Sequence, residues 1–463
     1  MDKEHPAVRR RNEASELITS GRVSSAVWYL AWPTIVNTLV QTAYQLINRA
    51  FLGRLGSETA NALAAVGIGG TVLNIQFSLM MGLSVGTAAL VSRFLGAEQH
   101  DDADEATRQS LLLALLVGSL ASIPLIVFDV PIAKGMGAAK PVGPLAATYM
   151  AIISWTTVAA FVNTTIVTAL RSAGDAKTPL YAGAAVIAVN TLFDWLLIFG
   201  IGPFPKLGVV GAGIATSISR VVGLALMIWF LNRSVLRASL RRLRAHWGWF
   251  GRIINVGGPG MLQSLLWTLA GVVLVALLGR LPGATDAVAA LTLGLSIEAI
   301  CYMPGVAYAT AATPLVGQNL GAGKPQRAEH SAWVAAGQAV AIMTLVAVLF
   351  LVIPRQLARL FTSDLSVVYL TALYLMINSF SEPFLALGMV LRGALQGAGD
   401  VRVPTAITFV TFWIVRLPLV WVLGRTFNMG AIGAWIAISG STALSGILTA
   451  IWFRRGHWRT IEV

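Results

Sequence analysis

Long uninterrupted apolar blocks dominate this chain: Leu111–Val127, Leu145–Leu170, Val186–Ile201, Ala332–Ile353 and Ala431–Phe453. A bilayer core about 30 Å thick needs roughly 20 apolar residues per helix. Within lipid, every backbone polar group must be paired inside its own segment, so helices are the default. A β-barrel would read as short alternating segments, and the blocks do not alternate. Only 11% of the residues are charged and 56% are hydrophobic, whereas soluble domains carry about a quarter charged residues. The pattern therefore predicts an all-α integral membrane protein.

Hydropathy and breaker residues predict about twelve spans. In the first half they lie near 24–50, 60–92, 108–129, 145–170, 180–202 and 208–231, and in the second near 255–280, 286–315, 331–353, 366–391, 404–424 and 429–453. An even number of spans puts both termini on one side. Assigning that side to the cytoplasm places most of the 33 Lys and Arg inside, as the positive-inside rule requires. The net charge of +13 thus reads as orientation in a bacterial or archaeal cytoplasmic membrane, and nucleic acid is not an expected partner. Residues 1–22 carry Arg9, Arg10 and Arg11 but no apolar core, so they read as a cytoplasmic tail and not as a signal peptide. A basic linker, 232–254, separates lobes 23–231 and 255–453, and 454–463 forms the second tail. The linker holds Arg233, Arg237, Arg241, Arg242, Arg244 and Arg252 with Trp247 and Trp249, a composition suited to an anionic leaflet.

The two halves repeat. Leu52-Gly-Arg-Leu55 recurs as Leu278-Gly-Arg-Leu281, and Leu95-Gly96-Ala97 as Leu320-Gly321-Ala322. Ala169-Leu-Arg-Ser-Ala-Gly-Asp175, followed by Pro179, recurs as Ala394-Leu-Gln-Gly-Ala-Gly-Asp400, followed by Pro404. Gly208-Val-Val-Gly-Ala-Gly-Ile-Ala215 recurs as Gly430-Ala-Ile-Gly-Ala-Trp-Ile-Ala437. The offsets all stand near about 225 residues and keep their order, the signature of an internal duplication. A six-helix unit repeated in parallel predicts two pseudo-symmetric six-helix lobes related by an axis along the membrane normal. Transporters of that plan bind substrate between their halves and alternate access by rocking.

No catalytic constellation stands out, and no enzymatic activity is expected. The five histidines fall in tails and loops without a second ligand at metal spacing. The single cysteine, Cys301, excludes disulfides and a cysteine metal cluster. No phosphate-binding loop or dinucleotide fingerprint is present, so neither an organic cofactor nor a built-in ATPase is expected. The informative residues are polar ones inside apolar spans, which are costly there and mark pathways. In span one, Asn37, Gln41, Tyr44 and Asn48 fall on one helical stripe, with Pro33 one turn earlier as a candidate hinge. In span five, Asn190 and Asp194 share a face. A buried Asp194 is costly unless a proton, a cation or a basic partner such as Arg49 or Arg220 neutralises its charge. Asn190 could add an oxygen to a sodium ion there. Asn163, Glu298, Asn378 and Glu382 are further candidates for a substrate cavity. Glu382 precedes Pro383, which predicts a broken helix with carbonyls free for a cation, and Arg416 could neutralise one of the acids. Asp175 and Asp400 follow glycine in loops and read as capping or turn residues.

Pro33 with Tyr44 and Phe51-Leu-Gly-Arg-Leu-Gly56, Leu315-Val-Gly-Gln-Asn-Leu-Gly-Ala-Gly323, the two Ala-Gly-Asp loops and the Asn190/Asp194 pair together resemble the multidrug and toxic compound extrusion (MATE) family. The resemblance runs over nearly the whole chain. It implies a monomeric twelve-helix exporter of cationic or amphipathic organic compounds, driven by protons or sodium ions without ATP. In the prokaryotic branch with an N-lobe ion site, the first helix carries a proline, a glutamine, a tyrosine and an aspartate. Those positions fall on Pro33, Gln41, Tyr44 and Asn48, the fifth-helix pair on Asn190 and Asp194, and a sixth-helix threonine on Thr216. Asn48 stands where the pattern has a titratable acid, and Arg49 follows it as a candidate charge partner. Coupling through Asp194 alone, coupling at Glu298 or Glu382, and altered coupling all remain open. A lipid-linked saccharide flippase of the same superfamily is the alternative transporter. Such flippases often have more helices and cationic cavities, so twelve spans and a regular repeat favour the exporter. A membrane-embedded enzyme would need a paired site near one interface.

Overall fold

A computed structural model describes residues 15–52, 59–136, 142–240 and 244–461, apart from a few side chains near the end of the first helix and the start of the second, Arg49 among them. Helices, mostly of membrane length, follow one another: α1 (Val23–Leu52), α2 (Thr59–Gly96), α3 (His100–Val127), α4 (Val142–Trp155), α5 (Thr157–Ser172), α6 (Lys177–Phe199), α7 (Gly208–Asn232), α8 (Trp247–Leu278), α9 (Ala284–Gly321), α10 (Pro325–Val352), α11 (Leu365–Ser379), α12 (Glu382–Ala398), α13 (Arg402–Phe409), α14 (Leu417–Trp421) and α15 (Gly430–Arg455). Among the described residues, nine stretches are long and apolar enough to cross a membrane, and the bent pairs α4/α5 and α11/α12 bring the number to as many as eleven. With α1 they make the twelve spans of a two-lobed all-α membrane fold. α1 continues unbroken through Pro33. The next-to-last span, Arg402–Thr426, is less regular: α13 and α14 are joined by a π-helical stretch, Val410–Arg416, and a second one, Val422–Thr426, follows α14.

The repeated motifs have physical causes. Both Ala-Gly-Asp loops end a helix in the same way: Gly174 and Gly399 each take φ of 86°, a left-handed conformation that glycine adopts without penalty. The next amide then reaches back, Asp175 N donating to Leu170 O and Asp400 N to Leu395 O, both at 2.9 Å, as in a glycine-terminated helix. The side chains diverge. Asp175 caps the following turn, accepting from Thr178 N at 2.9 Å and Thr178 Oγ1 at 2.6 Å. Asp400 does not cap; it accepts the Trp452 indole N–H at 2.7 Å and so ties α15 to the loop. In the other repeat, a Cβ on Gly211 would stand 2.7 Å from the Leu197 carbonyl and one on Gly433 2.7 Å from the Leu423 carbonyl carbon. Each glycine lets the last helix of its lobe press against the backbone before it.

The two bends are also repeats of one another. α4 and α5 meet at 48°, and α11 and α12 at 58°. In the first, Ser217 Oγ donates to Ile152 O at 3.1 Å and Arg220 Nη1 to Ile153 O at 3.2 Å. In the second, Ser439 Oγ donates to Ile377 O at 3.0 Å. Side chains from the last helix of each lobe thus satisfy carbonyls released by the bend, a recognised cause of helix breaks.

Packing divides the chain into two compact units whose edges depart from the halves of the repeat. One unit takes in Trp32–Leu95 and Gln99–Gly257; the other takes in Glu16–Ala31, Gly96–Glu98 and everything from Gly258 onward. α1 therefore changes unit next to Pro33, and α8 changes unit next to Pro259. In the second unit, the segment before α1 is gripped by its own backbone carbonyls. Arg327 Nη2 donates to Ile18 O and Gly21 O at 3.1 and 2.6 Å, Asn319 Nδ2 donates to Ile18 O at 3.2 Å, and Lys324 Nζ donates to Thr19 O at 3.0 Å. Ile18 is fully buried. Hydrogen bonds to a charged group contribute about 1.5–3 kcal/mol. Arg327→Leu is therefore expected to speed amide exchange across Leu17–Gly21 by roughly tenfold to a hundredfold, and unchanged protection in hydrogen-exchange mass spectrometry would contradict that role.

Candidate functional site

In the first unit, polar side chains from α1, α6 and α7 converge on Tyr44. Gly183 allows the approach of α1 to α6, since a Cβ there would lie 2.6 Å from Asn37 Oδ1. The far ends of the same helices meet through Phe51 and Phe199, with ring centroids 5.8 Å apart. Asn48 Nδ2 donates to the Tyr44 hydroxyl at 3.2 Å, and that hydroxyl stands beside Thr216 and the Asp194 carboxylate. Asn190 Nδ2 donates to Ser219 Oγ at 2.8 Å, which passes its own proton to Thr216 O at 2.8 Å. Asp194 is 1% exposed.

What the protein leaves unpaired here is all of one kind. Asn48 Oδ1, Asn190 Oδ1 and both Asp194 carboxylate oxygens are buried and accept no hydrogen bond of good geometry from a described protein group. Buried polar groups normally find partners, so these four acceptors leave a place for a hydrogen-bond donor or a positive species. Oxygen donors suit a hard cation, and a carboxylate among them suits a proton equally. Among the described residues no Lys or Arg nitrogen lies within 4 Å of Asp194. Arg220, one of the two expected basic partners, instead serves the Ile153 carbonyl at the α4/α5 bend. The side chain of the other, Arg49, lies outside the described residues.

Of the expected stripe on α1, Asn37 is buried, Tyr44 and Asn48 are half-buried, and Gln41 is exposed. Asn163 on α5 holds a buried unpaired Oδ1. It belongs to the same unit, where a Cβ added at Gly223 of α7 would lie 3.7 Å from that oxygen. The sequence gives no sign of Ser219, since a serine in an apolar helix carries no signal until its partner, here Asn190, is known.

The second unit holds a separate acidic cluster. Tyr374 donates its hydroxyl proton to Glu298 Oε2, and Cys301 Sγ donates to Glu382 Oε2 at 3.3 Å. The two carboxyl groups are electrostatic neighbours, and Glu382 Oε1 is buried without a protein partner. Tyr374 is held edge-on by Trp435, with centroids 5.1 Å apart. Asn378 is spent locally, Nδ2 donating to Tyr374 O at 3.0 Å. The expected break before Pro383 is present, and two of the carbonyls at it are engaged. Asn378 O accepts from Ser381 N at 2.8 Å and Ser381 Oγ at 2.9 Å, and Ile377 O accepts from Ser439. Arg416 does not form an ion pair with either acid. Its guanidinium donates to Ser441 Oγ at 2.8 Å and Thr442 Oγ1 at 2.7 Å and lies 3.8 Å above the Phe412 ring. Among the described residues no group of three or more His, Cys, Asp or Glu is arranged to hold a metal ion.

Comparison with known proteins gives one consistent picture. The MatE family model matches residues 33–196 and again 259–422, so the two matches lie 226 residues apart (259 − 33) and each begins at a proline. A probable multidrug resistance protein NorM of Thermotoga maritima is 26% identical over 433 residues, 93% of this chain and 92% of that protein. An FAD transporter of Shewanella oneidensis is 28% identical over 438 residues, covering 93% and 94%. Among solved structures, a MOP superfamily transporter from Pyrococcus furiosus superposes with a TM-score of 0.89 at 25% identity, over 97% of this chain and 99% of that one.

Proposed function

Because this chain belongs to the MatE family of multidrug and toxic compound extrusion transporters, we propose that it is a secondary antiporter of the cytoplasmic membrane, exporting cationic or amphipathic organic compounds in exchange for protons or sodium ions. The observation that carries the coupling is the group of four unpaired acceptor oxygens on Asn48, Asn190 and Asp194, gathered beside Tyr44 and Thr216. With Asn48 neutral, a single carboxylate binds one positive charge at a time in this lobe. The Glu298/Glu382 pair is a second acidic site, where a shared proton or cation relieves the repulsion of two adjacent buried carboxylates. Loading and unloading of these sites biases the alternation of the two six-helix lobes, since an ion shifts a conformational equilibrium only by its difference in affinity for the two states.

A second reading concerns substrate charge. Arg220 in the first unit lies close enough to Tyr44 and Tyr149 to interact electrostatically with them. A cation next to aromatic hydroxyls could hold an anionic amphiphile such as a flavin dinucleotide, the kind of compound for which the Shewanella relative is named. The test reconstitutes purified protein in liposomes with an imposed pH or sodium gradient and follows a lipophilic cationic dye in parallel with FAD. Gradient-dependent movement of the dye is the expected outcome. Movement of FAD alone would transfer the assignment to the anionic reading, and no gradient-dependent movement of either would refute antiport of these classes.

A further inference from the structure

The stretch between α7 and α8 is held as a built surface feature, and nothing in the transport reading uses it. Three side chains near the start of α3 pin its backbone. Asp104 Oδ1 accepts from Ser239 N at 3.1 Å. Arg108 donates through Nε to Ser239 O at 3.3 Å and through Nη2 to Ala238 O at 2.9 Å. Gln109 bridges the next step, donating to Arg244 O at 2.6 Å and accepting from His246 N at 3.0 Å. Ser239 is fully buried as a result.

With the backbone turned toward α3, the basic side chains are left outside. Arg233, Arg237, Arg244 and Arg252 are all exposed, and among the described residues none of them lies within 4 Å of a carboxylate. Aromatic rings accompany them. The Arg233 guanidinium lies 3.8 Å over the half-exposed Trp229 ring, and that of Arg252 lies 5.2 Å from Trp249. Trp247 is 78% exposed at the first position of α8. The first turn of that 32-residue helix has no acidic residue, so its partial positive charge adds to the arginines. Guanidinium groups with donors to spare, indole rings and a helix N-terminus together match one chemistry, a phosphate at the level where apolar chains meet water.

We propose that this collar, the described residues 233–240 and 244–252, binds the headgroups of anionic phospholipids. The occupant follows from the surroundings: a bilayer encircles the molecule, tryptophan settles at the headgroup level, and basic residues near the surface draw acidic lipid to them. A clamped backbone means that the arginines need not be ordered when lipid arrives, which lowers the cost of binding.

The test titrates delipidated full-length protein with phosphatidylglycerol or phosphatidylcholine and reads retained lipid by native mass spectrometry. Wild type is expected to retain phosphatidylglycerol preferentially, and the combined variant Arg233→Gln, Arg237→Gln, Arg244→Gln, Arg252→Gln to lose that preference by at least about tenfold. Arg454→Gln with Arg455→Gln, which removes exposed charge at the end of α15, is expected to keep it. Equal retention of both lipids by wild type, an unchanged combined variant, or an equal loss in the α15 control would each overturn the assignment. Should the combined variant fail to fold, Arg233→Gln with Arg252→Gln carries the same readout. Release of phosphatidylglycerol from wild type at high salt is expected in either case, and salt-resistant retention would also count against the proposal.

Discussion

Asp194→Asn is expected to lower gradient-driven efflux at least about tenfold, a loss equivalent to about 1.4 kcal/mol of driving interaction, while leaving the folded protein intact. The substitution is nearly isosteric, and the carboxylate contributes no good hydrogen bond to the fold that would be lost. What disappears is the charge that a proton or sodium ion would neutralise. Efflux without a gradient and binding of substrate in detergent should change much less, because Tyr44, Asn48 and Asn190 keep their places. Vesicles loaded with dye and subjected to pH or sodium jumps measure the effect directly. Full coupling in the variant would move the coupling site to Glu298 and Glu382. In that case Glu382→Gln should produce the loss instead.

Gly397→Leu is expected to be among the most damaging single changes in the second lobe outside its acidic cluster. A Cβ at Gly397 would stand 2.1 Å from Thr313 O, and one at Gly393, a turn earlier, 2.3 Å from Ala309 O. α12 and α9 thus meet backbone to backbone along two successive glycines, the kind of small-residue seam on which membrane helices associate. Thr313 Oγ1 seals it by donating to Gly393 O at 2.9 Å. Overpacking of a close-fitted interior typically costs about 1–3 kcal/mol, and here the obstructing atom is a carbonyl that cannot rotate away. Loss of monodisperse protein on size exclusion, or a melting point lowered by several degrees, is the expected readout. Gly337→Leu, at a position with open space around it, should leave both unchanged, and a Gly397 variant as stable as that control would contradict the packing argument.

Much of this architecture was legible in the residues because it is local or repeated. Apolar length announces each span, and the Ala-Gly-Asp strings announce helix ends whose backbone hydrogen bonds prove identical. The α1 stripe placed Tyr44 and Asn48 one turn apart, and the two are indeed bonded. Other features depend on partners far along the chain. The α4/α5 bend has neither proline nor glycine at Thr156; Ser217 and Arg220, more than 60 residues later, make it tolerable. Asp400 looked like its cap-forming counterpart Asp175 until Trp452 claimed it. Arg416 is an electrostatic neighbour of Glu298, as a counter-ion would be, yet its hydrogen bonds go to hydroxyls on α15, a pairing no spacing along the chain announces. Periodicity can say that a polar side chain shares a face with another, but it cannot say which neighbouring helix will present the complementary atom.

The exchange of leading segments between the two packing units bears on how such a chain is made. Glu16–Ala31 leaves the ribosome early, yet it packs with a unit made mostly of residues from Gly258 onward. Ile18 and the carbonyls gripped by Arg327 and Asn319 therefore wait, unburied, until more than 300 further residues have been synthesised. The earlier unit is likewise unfinished until Trp247–Gly257 has emerged. The first unit is complete once Gly257 has emerged, whereas the second holds segments made at both ends of the synthesis. An early segment of the chain is thus among the last to find its packing partners.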